Sequence, residues 1–404
     1  MRVSTNTVYD VGTNAILQQQ ESLVKTQQQV STGKRILTPS DDPIAAAQAL
    51  SITQAATLNE QYATNRKNAI SALGLEENAL KGVTTLIQDV HQTMVYAGNP
   101  TLTAGDRRSL AVELRGKLDS LVNLANTTDG SGQFLFSGFQ AFTTPFVQTG
   151  LSVQYNGDQG QRLNQVSATR QIPVGDAGTD VFERIKNGNG VFVTAADPAN
   201  LGTGIITTGS VIAPASLTGD NYQVVFTVAA GVTTYDVINT TTSTTISTAN
   251  PYTSATTISF DGMQFNIEGD PSNGDIFTVL PSTNESVFKT IGDFITTLET
   301  VPTNIQPGGG TKLTNNLNTA IQNLQNNLEH ILSTQASVGA RFQELSSLED
   351  VGSDFKVQFA KTLSRLEDID LAEAISTLNR QQVYLEAAQR SFTKVSGLSL
   401  FDYI

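Results

Sequence analysis

Apolar residues recur every three, four or seven positions toward both ends of the chain and every second position through its middle. That change of period makes the first division of the molecule. Between Pro43 and Ala97, the residues Ala69, Leu73, Leu80, Val83, Ile87, Val90, Met94 and Ala97 fall on one helical face, which predicts a long amphipathic helix. Asp42 supplies an N-cap carboxylate, and Pro43 takes the first helical position, where a missing N–H costs nothing. Gly98, Asn99 and Pro100 end the helix. At 1.5 Å per residue it would span roughly 80 Å, longer than a globular core needs. A second helix opens at the capping box of Thr103 and Asp106 and runs to about Ala125, with Leu110, Leu114, Leu118 and Leu121 on one face. The two are expected to pair as an antiparallel hairpin.

From Gln133 to about Pro281 the pattern is that of β structure. Tyr222–Val228 and Thr257–Asp261 alternate apolar and polar side chains between Gly, Asn, Asp and Pro turns. Asn156-Gly157 and Asp261-Gly262 are dipeptides that favour tight hairpin turns. The threonine-rich stretch Thr233–Thr257 suits strands with an outward, solvated face.

Helical spacing returns near Val287. After the break Pro307-Gly308-Gly309-Gly310, read as a hinge, Leu317, Ile321, Leu324, Leu328, Ile331, Gln335, Val338, Phe342 and Leu345 alternate four and three apart. This is a coiled-coil seam, expected to be intramolecular core. A new helix is expected after Gly352, with Leu371, Leu378, Leu385 and Phe392 seven apart and Ala374, Gln381, Ala388 and Val395 three beyond each. The N-terminal arm carries a thinner stripe of the same kind, Ile16, Leu23 and Val30, among glutamines and threonines. The matching ends are expected to pair in space. Because the stripe lacks a partner nearby in sequence, the arm up to Thr38 and the helix beyond Asp354 are expected to be mobile before assembly. Ile16, Leu23, Val30, Leu371, Ala374, Leu378, Leu385, Ala388, Phe392 and Val395 are therefore candidates for an intersubunit assembly interface.

The resulting fold class is α+β and multidomain, a long helical coiled-coil and hairpin region built from both chain ends around a central β-rich domain. The expected divisions are an N-terminal assembly helix at 1–42, the first part of the helical hairpin domain at 43–132, the β-rich domain at 133–286, the returning helical part at 287–353 and a C-terminal assembly helix at 354–404.

Composition narrows the function. The chain has 404 residues, too many for one compact core. Only 15% of them are charged and 39% apolar, as in a folded but largely solvated assembly. A formal charge of −13 repels a phosphate backbone, so nucleic acid is not an expected partner. There are no cysteines, which removes disulfides, thiolate metal sites and Cys nucleophiles. The first twenty residues lack the basic and apolar regions of a secretory signal peptide, and no apolar run is long enough to span a membrane, so membrane insertion is not expected.

The search for chemistry points away from an enzyme. His91 and His330 are the two histidines, neither within an HExxH spacing, and both suit packing or solvent-flank positions. Asp41 and Asp42 sit where helix capping explains them. Pro307–Lys312 lacks the spacing of a phosphate loop. Asn126, Asn239 and Asn284 begin N-x-S/T triplets of the kind that arise by chance in a chain rich in these residues. No catalytic residue, cofactor or metal is expected.

The string Ser31-Thr32-Gly33-Lys34-Arg35, continuing as ILTPSDDPIAAAQAL from Ile36 to Leu50, resembles the signature near the start of flagellins and their junction relatives. The opening MRVST, the segment QFLFSGFQ at 133–140 and the ending Ser396–Phe401 resemble the FlgL-type hook-associated proteins more than filament flagellin. The resemblance covers about residues 1–185 and 287–404. It implies a structural subunit of the bacterial flagellum, located outside the cell at the hook-filament junction, whose terminal helices form an inner tube. It further implies a ring of like subunits between a FlgK-type junction protein and flagellin. Export would run through the flagellar type III exporter without a cleaved signal peptide, after a FlgN-type chaperone has held the C-terminal helix. Filament flagellin, or a junction subunit whose β segment Ala195–Pro281 also acts as an adhesin, are the alternatives. An enzyme-bearing relative is disfavoured by the missing HExxH.

Overall fold

The computed structural model describes residues 5–300 and 309–396. Its helices are α1 (Thr5–Thr32), α2 (Pro43–Ala97), α3 (Ala104–Ala125), the short α4 (Gly178–Phe182), α5 (Val287–Thr300), α6 (Gly309–Glu367) and α7 (Leu371–Ser396). Between α3 and α5 lie β1 (Phe146–Thr149), β2 (Ser152–Tyr155), β3 (Leu163–Gln165), β4 (Gln171–Pro173), β5 (Ile185–Lys186), β6 (Phe192–Ala196), β7 (Ile205–Ile206) and β8 (Ser210–Val211). They are followed by β9 (Tyr222–Ala229), β10 (Val232–Asn239), β11 (Thr244–Pro251), β12 (Thr257–Phe260), β13 (Met263–Glu268), β14 (Ile276–Pro281) and β15 (Asn284–Glu285). The helix-β-helix order read from the periodicity is the observed one.

Close contacts divide the chain into two units, one formed by residues up to 65 with those from 346 onward, the other by residues 66–345. The division falls inside α2 and α6. The helix expected after Gly352 is present as α7 but begins only at Leu371, because α6 continues through Gly352 to Glu367. One glycine costs a helix interior about 1 kcal/mol, too little to stop a helix of this length. The break comes at 368–370, where the Asp370 carboxylate accepts from the backbone N–H of Ala372 and Glu373 and starts α7. Gly309 and Gly310 already belong to the first turn of α6, whereas Pro307 and Gly308 of the expected hinge lie outside the described residues.

In the unit of residues 66–345, α2 and α3 form the expected antiparallel hairpin. Lys117 on α3 donates to the Asp89 carbonyl at 3.0 Å, Thr93 donates to Glu113 at 3.1 Å, and Leu124 lies over Gly82. The far side of α3 packs on α5, where the Arg115 guanidinium forks onto both carboxylate oxygens of Glu299. Thr103 and Asp106 make the reciprocal capping box that stops α3 from fraying. Phe146 of β1 packs against Tyr155, Phe182 and Phe288 at centroid distances of 5.1, 5.3 and 5.0 Å, edge to face with Phe182, so β1, α4 and α5 share one aromatic core.

The β region has a second core. A five-stranded antiparallel sheet, β11-β10-β9-β14-β6, and a smaller one, β12-β13-β7 with β8 beside β13, enclose Phe192, Tyr222, Phe226, Phe265, Phe277 and Val279, all buried. Phe226 meets Tyr252 at 5.0 Å and Phe277 at 5.6 Å. Strand β11 is the sheet edge, with Thr244, Thr245 and Thr248 exposed, as the threonine-rich composition implied. Asp261-Gly262 makes the two-residue turn between β12 and β13, with φ of 42° and 80°. Asn156-Gly157 does not turn a hairpin, since β2 pairs with β1 and β3 with β4. Gly157 instead passes against the Tyr155 hydroxyl, a position that a side chain would obstruct.

The segment Ala195–Pro281 is docked on α6 by Asn315. Asn315, 5% exposed, donates to the Gly204 carbonyl at 3.0 Å and accepts from the Ile206 N–H at 3.0 Å, imitating a neighbouring strand. Two turns on, the chain just before that segment is held in the same way: Asn323 accepts from the Gly188 N–H, and Asn326 donates to the carbonyls of Lys186 and Gly188. Deleting the segment would strip the partners of a buried amide, which costs about 1–3 kcal/mol by itself.

Candidate assembly interface

The chain ends meet, as their matching patterns implied: α1 and α7 run antiparallel in close contact. Tyr9 meets Phe392 edge to face at 5.6 Å, Phe392 lies over Gly12, and the Gln19 side chain donates to the Gln381 carbonyl at 3.4 Å. A β-carbon at position 12 would come within 2.6 Å of the Phe392 ring, so glycine is what admits the ring there. The same register sets Ile16 across from Leu385 and Leu23 across from Leu378. Thr26 and Ala374 are buried.

This geometry corrects the reading of the heptad stripe. Ile16, Leu23 and Val30, with Leu378, Leu385, Ala388 and Phe392, are half-buried, and Ala374 is buried; the pairing of α1 with α7 provides this shelter within one chain. They were expected to wait for a neighbouring subunit. The pairing of the two ends was expected; what was not is that it already half-covers the stripe within one chain. Leu371 and Val395, assigned to the same stripe, instead stand 51% and 52% exposed. Ile375, Val383 and Tyr384 of α7 are exposed as well, and α1 exposes Val11, Leu17 and Val24. The signal was present in the sequence, since Leu371, Ile375 and Val383 stand four and eight apart. A helix with apolar residues on several sides can hide only one side against a single partner.

Where both helices turn, the two connecting loops clasp each other. Gly33, at φ 69°, ends α1 and offers its carbonyl to the Ile369 N–H at 3.0 Å. The Arg35 N–H donates to the Glu367 carbonyl at 2.6 Å, its guanidinium reaches the Leu366 carbonyl at 3.0 Å, and Lys34 pairs with Glu367 at 2.7 Å. The hydrogen bond and charge of Glu367 raise the pKa of Lys34 above the ordinary lysine value. Asp41 accepts from the N–H groups of Leu37 and Thr38 and pairs with Lys25 of α1 at 2.6 Å. Lys25 first, then those backbone donors, hold its carboxyl at about 2. Asp42 Oδ1 accepts from the Ala45 N–H at 3.0 Å, capping α2 above Pro43. The paired acids thus divide the work: Asp42 starts α2, and Asp41 ties its approach loop to α1.

Among the described residues no cluster of side chains could hold a metal ion, and no helix is long and apolar enough to cross a membrane. His330 Nε2 lies 2.6 Å from the Asp180 carbonyl, and His91 lines a groove beside Leu324 and Leu328. The opening residues 1–4 and the ending residues 397–404 of the strings that carried the resemblance lie outside the described residues.

Residues 3–141 match the family of the bacterial flagellin N-terminal helical region. Together with the pairing of helices from the two chain ends and a β-rich middle of the chain, this defines a flagellin-type structural subunit of the bacterial flagellum, a class of proteins that are not enzymes. The flagellar hook-associated protein 3 of Escherichia coli strain K12 is 30% identical over 402 residues, which cover 100% of this chain and 99% of that protein. The crystal structure of hook-associated protein 3 from Legionella pneumophila is similar at 33% identity with a TM-score of 0.74, covering 78% of this chain and 98% of that one. FlgL of Xanthomonas campestris is similar at 30% identity with a TM-score of 0.71, over 78% of this chain and 99% of that one. The chain belongs to the family of flagellar hook-associated protein 3, the FlgL junction proteins. The similarity to the Escherichia coli relative extends across Ala195–Pro281, a stretch the sequence strings had left uncovered.

Proposed function

We propose that this chain joins its neighbours in the flagellum through the exposed apolar residues of the α1–α7 pair, polymerising as a ring between a FlgK-type junction protein and flagellin. The observation that carries this reading is the set of open apolar positions on the two helices: Val11, Leu17, Ile375, Val383, Tyr384 and Val395 stand 48% or more in solvent. A soluble monomer seldom leaves so many large apolar side chains uncovered on two adjacent helices. The half-buried seam then holds each subunit's own helix pair, and the open positions hold the next subunit. A pair secured by so narrow a seam also supports a FlgN-type chaperone that covers α7 during export through the flagellar secretion route.

Val383→Asp tests the assignment. A carboxylate at an open position leaves the melting temperature of the purified subunit unchanged, whereas burying it unpaired against a neighbour costs several kcal/mol. Cells carrying the variant are expected to lose the junction and to release flagellin into the medium. Normal filaments with Val383→Asp would remove these open positions from the interface. A large fall in the subunit's melting temperature would place Val383 in the subunit's own core.

A further inference from the structure

Two carboxylates and one guanidinium are enclosed where α2, α6 and the loop before α4 meet. Glu76 of α2 is 1% exposed, and its Oε1 accepts from the Asp176 N–H at 3.0 Å. Asp176 is 6% exposed; its Oδ1 accepts from the Arg341 guanidinium of α6 at 2.8 Å and from the Gln161 amide at 3.0 Å. Glu76 Oε2 and Asp176 Oδ2 are both buried without a hydrogen-bond partner. Asp176 and Arg341 are the charged groups that act on Glu76, and Gln161 is neutral. With both acids ionised, the enclosed cluster carries one uncompensated negative charge. With one proton added, it is neutral, and a Glu76 hydroxyl gains an acceptor in Asp176.

We propose that Glu76, Asp176 and Arg341 form a buried proton-binding site that couples pH to the docking of the Val174–Phe182 segment on α2 and α6. A proton on Glu76 bridges the two orphaned oxygens and fastens the segment; its loss sets two carboxylates against each other beneath the segment and loosens it. Burial first, and the Asp176 charge second, push the Glu76 carboxyl up to about 7. In the unfolded chain a glutamate titrates near 4.3. The folded value is the higher one, so the stabilisation is complete below about pH 4 and is lost as pH rises through about 7. The loss therefore runs from about pH 4 to about pH 7 and is complete above neutrality.

The test is carried out on the full-length purified subunit. Isotope-edited NMR follows the Glu76 side-chain carboxyl, and thermal melts are recorded from pH 5 to pH 8 for the parent and for Glu76→Gln. Glutamine keeps an acceptor for the Asp176 N–H and offers a permanent donor to Asp176. The proposal expects Glu76 to titrate near neutrality, the parent's melting temperature to fall across the window, and Glu76→Gln to match the parent at pH 5 and exceed it at pH 8. The two proteins differ only at position 76, so comparing them isolates that group. An ordinary Glu76 titration below pH 5, or melting curves for the two proteins that stay parallel, would overturn it. Asp176→Asn gives an independent reading should the glutamine variant fail to fold: relieved of the neighbouring charge, Glu76 is expected to titrate lower, and an unmoved titration counts against the site.

Discussion

The two units of this chain are built on opposite principles. Residues 66–345 enclose two aromatic cores, one around Phe146 and one around Phe226, and seal the β region to α6 with buried asparagines. In the other unit the buried apolar side chains, among the described residues, are Ala45, Ala49 and Ala374. Its larger apolar groups are half-covered, as Leu385 is, or open, as Val383 is. Three alanines bury too little area to hold four helical segments by their own core, since burial contributes about 25 cal/mol per Å². The apolar area of this unit is therefore suited to cover from outside the chain, whereas residues 66–345 are complete without it.

This contrast can be broken most directly at the β core. Phe226→Ala is expected to destabilise residues 66–345 by about 3–5 kcal/mol, read from urea unfolding of the purified subunit, because it empties a site walled by Tyr252 and Phe277. A loss below 1 kcal/mol would mean that the β region is no better packed than the terminal helices.

A smaller effect sharpens the comparison at α6. Asn315→Ala leaves the Gly204 carbonyl and the Ile206 N–H without their partner and is expected to cost about 1–3 kcal/mol. Faster amide exchange at Ile206 would locate the change. An unchanged exchange rate there would show that packing alone docks the β region.

The smallest effect belongs to the clasp of the terminal unit. Lys34 and Glu367 are partly exposed, so a double-mutant cycle with Lys34→Ala and Glu367→Ala is expected to return a coupling of about 0.2–1 kcal/mol, weakening with salt. A coupling above 2 kcal/mol would reveal a terminal unit more tightly built than its sparse core implies.

Much of this architecture was legible beforehand because it depends on local rules. The bounds of α2 and the cap of α3 follow from Pro43, Gly98, Thr103 and Asp106, each acting within one helical turn. The turn at Asp261-Gly262 follows from the tolerance of these residues for positive φ. Gly352 misled because a glycine weakens a helix without ending it, and the actual break at 368–370 depends on the Asp370 cap and on the Ile369 N–H reaching Gly33 across the chain. The reading of Asn156-Gly157 failed for a similar reason, since the strand pairing around it is set by which segments meet in space.

By itself, the sequence determined the helical ends, the β middle and the amphipathic stripes, since periodicity and capping act between residues a few positions apart. Only the tertiary structure decided which side of α7 is covered. Ala374, Leu378 and Phe392 turn toward α1, and Leu371, Val383 and Val395 turn away, because α1 is a single cylinder that can shield one side of its partner. It also decided that Glu76, an ordinary acid in the middle of a helical run, is enclosed with Asp176 and Arg341. Groups a hundred or more residues apart become one charge cluster only when the chain has folded and water has been removed from between them.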